Sequence, residues 1–206
     1  MIKNIIFDFG GVIYDIDHSL SKLAFEKLGV KNFDALYGHQ VQTKVFEKME
    51  RGELDLELFR NELRKVILRK VSDQQLDDAW CGLLLGFDIR KIELLKNIRK
   101  NYRLFLLSNS NEIHYNRFIE ELNEYYDFRS LFEDVWFSHE KGMRKPEPQF
   151  YLGLLKENDL EASESLFVDD LEANIIAAQQ HGIKTHYIKQ DTILDMFTDD
   201  MLNQEY

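Results

Sequence analysis

Apolar residues along this chain follow two kinds of spacing. Near-continuous runs rich in Ile, Val, Leu and Phe occupy KNIIFDF (3–9), YRLFLLS (102–108), DVWFS (134–138), SLFVDD (165–170) and KTHYI (184–188). They lack the alternation of a half-exposed strand and fit strands of a parallel sheet covered on both faces. Between most of them the spacing turns helical. NEIHYNRFIEELNEYY follows the second run, PEPQFYLGLLKEN the third and EANIIAAQQHG the fourth, with Gly182 placed to stop that last helix. Strand and helix in alternation predict a doubly wound, Rossmann-like α/β parallel sheet.

One interval breaks this rhythm. From about residue 17 to about residue 100 no convincing strand is read, and LSKLAFEKLG, HQVQTKVFEKMERG, LELFRNELRKVILRK and SDQQLDDAWCGLLLG all show helical spacing. The next helix, around DIRKIELLKNIRKN, returns to the sheet. The expectation is a core of residues 1–14 and 91–206, with an inserted α-helical cap at 15–90 whose interior holds Phe46, Phe59 and Trp80.

The 206 residues suit one domain or one domain carrying a large insert, and 44% hydrophobic residues allow a sizeable core. A net charge of -11 disfavours non-specific binding to nucleic acid or to an anionic membrane, but not a local site for a small anion. The single cysteine, Cys81, excludes an internal disulfide and lies in apolar AWCGLLL, the setting of an inert buried thiol. Asp8 interrupts the apolar opening stretch, no small-residue cleavage site follows it, and no segment reads as a membrane span. A cytoplasmic protein is therefore expected. Oligomeric state is not read from the sequence.

In open α/β sheets ligands bind beyond the carboxyl ends of the strands. Here those ends carry Asp8, then Ser108 and Asn109, then the loop SHEKGMRKPEP with Lys145, then Asp169 and Asp170. Each residue alone has an ordinary explanation: a helix cap, a turn, a solvated loop lysine, a surface acidic pair. Both prolines of the chain, Pro146 and Pro148, follow Lys145 within RKPEP and are expected to hold it in a fixed direction. Together the set has a chemistry. A carboxylate can attack phosphorus to form an aspartyl-phosphate, a divalent cation such as Mg2+ held by acidic oxygens offsets the repulsion between the two anions, and a lysine and a hydroxyl hold the phosphoryl oxygens.

FDFGGVI, FLLSNSN, GMRKPEPQFY and LFVDDLEANIIAAQQHGI, in this order, resemble the four motifs of the haloacid dehalogenase-like hydrolase superfamily over nearly the full length. The helical insert after the first motif is similar to the cap of its subfamily I. More narrowly, FDFGGVIYDID, LSNSN, GMRKPEP and DDLEANIIAA resemble α-D-glucose-1-phosphate phosphatases, and the first motif is also like the amino-terminal phosphatase-type domains of epoxide hydrolases. The resemblance implies Asp8 as nucleophile, and Mg2+ held by Asp8, the Gly10 carbonyl and Asp170. It implies Ser108, Asn109 and Lys145 around the phosphoryl group, and Asp169 and Asn174 in support. The implied partner is a small phosphorylated metabolite.

One position departs from the pattern. Most phosphatases of the superfamily carry an acid-base aspartate where this chain has Gly10. Three readings stay open: a phosphatase using water, a cap residue or a nearby carboxylate; a 2-haloacid dehalogenase using the same Asp8; or a silent relative that binds a phosphorylated ligand. A receiver-like signalling domain fits less well, because its acidic pair comes on the first strand. Asp17 is a candidate substitute acid or substrate contact, with a helix-capping role as its ordinary alternative. His18, His39 and His114 are read as surface or core residues.

Overall fold

The computed structural model describes residues 1–31, 40–67 and 69–197, with the backbone alone at 40–43. His39 lies outside the described residues. The strands are β1 (Asn4–Phe7), β2 (Tyr14–Ile16), β3 (Leu84–Phe87), β4 (Arg103–Ser108), β5 (Asp134–Phe137), β6 (Ser165–Asp169) and β7 (Lys184–Tyr187). The helices are α1 (His18–Lys27), α2 (Gln40–Glu50), α3 (Leu56–Arg64), α4 (Asp73–Trp80), α5 (Ile89–Ile98), α6 (Glu112–Tyr125), α7 (Ser138–Lys141), α8 (Pro148–Glu157), α9 (Glu172–Gln180) and α10 (Ile193–Met196).

The five apolar runs become one parallel sheet in the order β5-β4-β1-β6-β7. Both faces of its central strand are covered, which is why that run is unbroken. Ile5 and Phe7 face one cluster with Leu95 and Ile98 of α5 and Phe118 of α6. Ile6 faces the other, with Phe150 and Leu154 of α8 and Ala178 of α9. Helix α9 ends at Gln180, and Gly182 follows with φ 77°, a left-handed turn that glycine adopts without a Cβ penalty.

Helices α1 to α4 close around their own apolar cluster, built on Phe25, Phe46, Phe59, Leu76 and Trp80 and joined by Ile113 of α6. Phe46 stacks on Trp80 at 5.0 Å between centroids, and Phe59 meets Trp80 edge-on at 5.4 Å. Burying each such ring contributes about 1.5–3 kcal/mol. Cys81 is buried beside them, its Sγ 3.8 Å from the Ile113 carbonyl oxygen, and burial pushes the thiol up to about 11.

Two expectations need correction. The interval read as free of strands contains β3, which pairs antiparallel with β2. The apolar stretch after Trp80 continues the helical spacing, but Gly86 takes φ 112°, which no helix accommodates. The helix expected over LELFRNELRKVILRK stops at Arg64, where Lys65 serves as its C-cap. The β2–β3 ribbon carries the chain into α1 and out of α4. It is fixed by Lys91 Nζ donating to Asp15 Oδ1 at 2.6 Å and by the Tyr14 hydroxyl donating to Glu121.

Candidate active site

Asp8 follows β1 directly, and its neighbours β4 and β6 end beside it at Ser108 and Asp169. Lys145 arrives from the loop after α7 and is 1% exposed. Its Nζ lies 2.8 Å from Asp8 Oδ2 and 2.6 Å from Asp169 Oδ2. Asp8 Oδ1 accepts from the Phe9 N–H at 2.6 Å, which fixes the carboxylate's orientation. Asp169 is fully buried. Besides Lys145 it accepts from the Leu171 N–H at 2.8 Å and from Asn174 Nδ2 at 3.0 and 3.1 Å. Carboxylate oxygens of Asp8, Asp169 and Asp170 lie within 4.8 Å of one another.

Three carboxylates therefore face one ammonium, leaving two negative charges in a mostly buried space. Burial, with the charges of Asp169 and Asp170, raises the Asp8 carboxyl above the ordinary aspartate range despite Lys145. Burial and then Asp169 raise Asp170 in the same way. Burial works against the Lys145 ammonium, yet Asp169 and Asp8 hold its pKa above the usual lysine value. The residues fit a hard divalent cation, which would balance the surplus with oxygen donors. Asp169 also accepts from Asn174 and the Leu171 N–H and is fully buried, which leaves Asp8 and Asp170 the better-placed pair. Gly11 supports the fit: at φ 76° its backbone presses on the Asp170 carboxylate, and a Cβ there would overlap that group. The close approach belongs to Gly11 and not to Gly10, where a Cβ would meet only the Ile16 side chain, at 3.2 Å.

The remaining predicted residues are each held by a neighbour. The Asn109 side chain clamps the lysine loop, its Nδ2 donating to the Lys145 carbonyl at 2.9 Å and its Oδ1 accepting from the Lys145 N–H at 2.8 Å. Asn174 donates through Nδ2 to both carboxylate oxygens of Asp169. Asp17 is exposed and caps α1, accepting from the Ser19 N–H at 2.8 Å; hydrogen bonds from the Ser19 hydroxyl and then from that N–H lower its pKa, which makes it a poor proton donor near neutrality. His114 is buried and stacks on Trp80, and burial depresses it to about 4. Both its ring nitrogens are engaged, one with Asn111 Nδ2 at 3.0 Å and one with the Trp80 carbonyl at 3.0 Å.

Beside the rim, under the helices, lies a cavity of about 100 Å³ lined among others by Gly10, Asn109, Ser110, His18 and Glu50. His18, read from sequence as a surface or core residue, lines this space. Helix α2 also grips the lysine loop. Arg51 makes a two-pronged ion pair with Glu147, one arm at 2.8 Å, and Arg144 Nε stands 2.7 Å from Glu50 Oε2. The backbone at Gly52 packs against the His139 carbonyl so closely that a Cβ would collide. Ser138, fully buried, bonds both the N–H and the carbonyl of Ser110 at 2.9 Å and ties the second motif to the end of β5. These residues were not found from sequence. The charges flanking Lys145 in RKPEP were the available signal, but their partners lie more than 90 positions away.

A family model described as haloacid dehalogenase-like hydrolase matches residues 2–182. The chain belongs to the haloacid dehalogenase-like hydrolase family. This hydrolase is 34% identical to the D-ribitol-5-phosphate phosphatase of Bacteroides thetaiotaomicron over 193 residues, covering 90% of this chain and 91% of that protein. It is 26% identical to a sesquiterpene phosphatase of Aspergillus oryzae over 182 residues, 88% of this chain and 87% of that one. Its fold is similar to that of a HAD family enzyme from Bacteroides thetaiotaomicron solved in complex with magnesium and inorganic phosphate. That likeness has a TM-score of 0.88 at 30% identity, covering 96% of this chain and 100% of that one. Among the described residues of the hydrolase, no helix is long and apolar enough to cross a membrane.

Proposed function

We propose that this hydrolase is a magnesium-dependent phosphatase that cleaves a small sugar or polyol phosphate through an aspartyl-phosphate on Asp8. The observation that carries the reading is the cluster of Asp8, Asp169 and Asp170 around Lys145 at the sheet rim, beside a small cavity with both apolar and polar walls. The phosphatase names of two relatives and the magnesium–phosphate complex of a structural neighbour support it.

An oxygen of Asp8 bonds to phosphorus in line as the bond to the leaving oxygen breaks. The Ser108 hydroxyl and the backbone after it hold one phosphoryl oxygen, and the Lys145 ammonium holds another as charge builds. Asn109 and Asp169 act on Lys145, one fixing its backbone and the other its ammonium. Asp8, the Gly10 carbonyl and Asp170 would hold Mg2+, which supplies Lewis-acid neutralisation between carboxylate and phosphate. Water then attacks the phosphorus of the aspartyl-phosphate, releasing phosphate and restoring Asp8. Helices α1 to α4 form the cap that keeps bulk water from this exchange. The crowding of carboxylates favours this chemistry over halide displacement, which needs no cation and gains nothing from Asp170.

The test is phosphate release from α-D-glucose 1-phosphate, D-ribitol 5-phosphate and an aryl phosphate, with Mg2+ and with a chelator, for wild type and Asp8→Asn. Release that needs Mg2+ and falls about 10⁴-fold or more in the variant is expected. Halide release from a 2-haloacid without metal would instead establish the dehalogenase. Phosphate binding without turnover of any substrate would establish a silent binder.

A further inference from the structure

Gly10 leaves the leaving-group side of Asp8 without the family's usual carboxylate, yet the cavity there is not bare. Asn111 and His114 face it, but Asn111 Oδ1 takes the His114 N–H at 3.1 Å and the Trp80 Nε1–H at 3.3 Å, and both His114 nitrogens are engaged. Asn109 is committed to the Lys145 backbone. Glu50, at the end of α2, is different. Its Oε2 is enclosed and stands 2.7 Å from Arg144 Nε, but neither atom has an aligned hydrogen-bond partner. Enclosing a carboxylate this way costs stability unless something else satisfies it. The charged groups around it are Arg144, Glu47 and Arg51.

We infer that Glu50 is a specificity-determining residue that accepts hydrogen bonds from hydroxyls on the carbons next to the phosphoester, which selects an open-chain polyol phosphate. This rests on the phosphatase reading above. With Oε2 enclosed against Arg144, the other carboxylate oxygen, which has two lone pairs, accepts from the neighbouring hydroxyls. The space sets the size. An apolar cavity of about 150 Å³ holds benzene, so about 100 Å³ takes a smaller fragment, roughly the first two or three hydroxylated carbons. A long apolar chain neither fits that space nor satisfies Glu50. Arg144 couples the selection to chemistry, since it touches Glu50 on one side and precedes the phosphate-holding Lys145 on the other.

The test compares kcat/KM for D-ribitol 5-phosphate and n-pentyl phosphate, two esters of equal chain length that differ in hydroxyls. Wild type is expected to prefer the polyol ester by about 100-fold or more. Glu50→Gln, which keeps the shape, should cut that preference about tenfold, and Glu50→Leu should bring it near unity. An unchanged preference in both variants overturns the inference. So does a parallel fall on both esters, since that places Glu50 behind Arg144 as a support for Lys145. Should Glu50→Leu not fold, Glu50→Gln alone decides by the same ratio. Wild-type release that Asp8→Asn abolishes keeps the phosphatase reading intact whatever Glu50 does. Release from neither ester nor an aryl phosphate brings down that reading and this one with it.

Discussion

The two sides of the cleft treat their charges differently. At the sheet rim the central charges are fixed: Lys145 lies between Asp8 and Asp169, and Asp169 is held by Asn174 and the Leu171 amide, with Asp170 left to carry the surplus. On the helical side Glu50 faces the cavity with its ion pair to Arg144 out of hydrogen-bond alignment. The rim lacks only a cation before substrate arrives, which suits a group common to all substrates. The helical side is left incomplete, which suits a group that varies. Preorganised charge at the rim serves rate, and unsatisfied polarity opposite serves choice.

Among changes around Asp8, removing the Lys145 ammonium should have the largest effect. Lys145→Met strands Asp8 and Asp169 without their shared partner. Activity should fall about 10³-fold, with a loss of about 3 kcal/mol in urea unfolding. A variant retaining a tenth of wild-type activity would show that the rim does not depend on this group. Gly11→Ala comes next. Alanine at φ 76° with its Cβ against Asp170 should cost about 2 kcal/mol, and the Mg2+ needed for half-activation should rise about tenfold, as a metal titration would read.

Acidity offers a third measurement. Asp8 and Asp170 are raised in the folded protein, so between the ordinary aspartate pKa near 4 and their folded values the native state binds more protons than the unfolded one. Stability of the chelated protein should therefore decrease as pH rises through that window, by at most about 1.4 kcal/mol per pH unit for each group. Saturating Mg2+ should flatten the slope. Denaturant midpoints from pH 4 to 8 with and without metal would show it, and a chelated slope of the opposite sign would contradict the charge surplus. The smallest effect belongs to the helical side. Arg51→Ala breaks the pair with Glu147 and should cost about 1 kcal/mol, with a few-fold loss of activity alike on polyol and alkyl esters.

The same contrast explains what the sequence could reveal. Asp8, Ser108, Lys145 and the Asp169–Asp170 pair each sit at or near the end of an apolar run, so topology alone brings them to one rim. The roles of Asn109 and Asn174 were less legible, because whether an amide serves a ligand or a neighbouring side chain depends on distances that no spacing contains. Ribbon β2–β3 escaped because its strands are short and its partner residues lie about 70 positions apart. Glu50 and Arg51 escaped for the same reason, as ordinary charges at the end of an amphipathic helix until the fold sets them against Arg144 and Glu147.

The ribbon has a further consequence. Asp17 N–H donates to the Leu83 carbonyl at 2.9 Å, so the points where the chain leaves and rejoins the sheet's neighbourhood are hydrogen-bonded neighbours. The excursion between them is topologically a long hairpin loop. Replacing residues 17–83 by a two-residue Asn-Gly turn would join strands already in antiparallel register, and the five-stranded sheet, which draws no strand from the excised segment, should still assemble. A lineage could therefore exchange one roof for another by recombination at two adjacent points, renewing what is recognised while inheriting the phosphate chemistry unchanged.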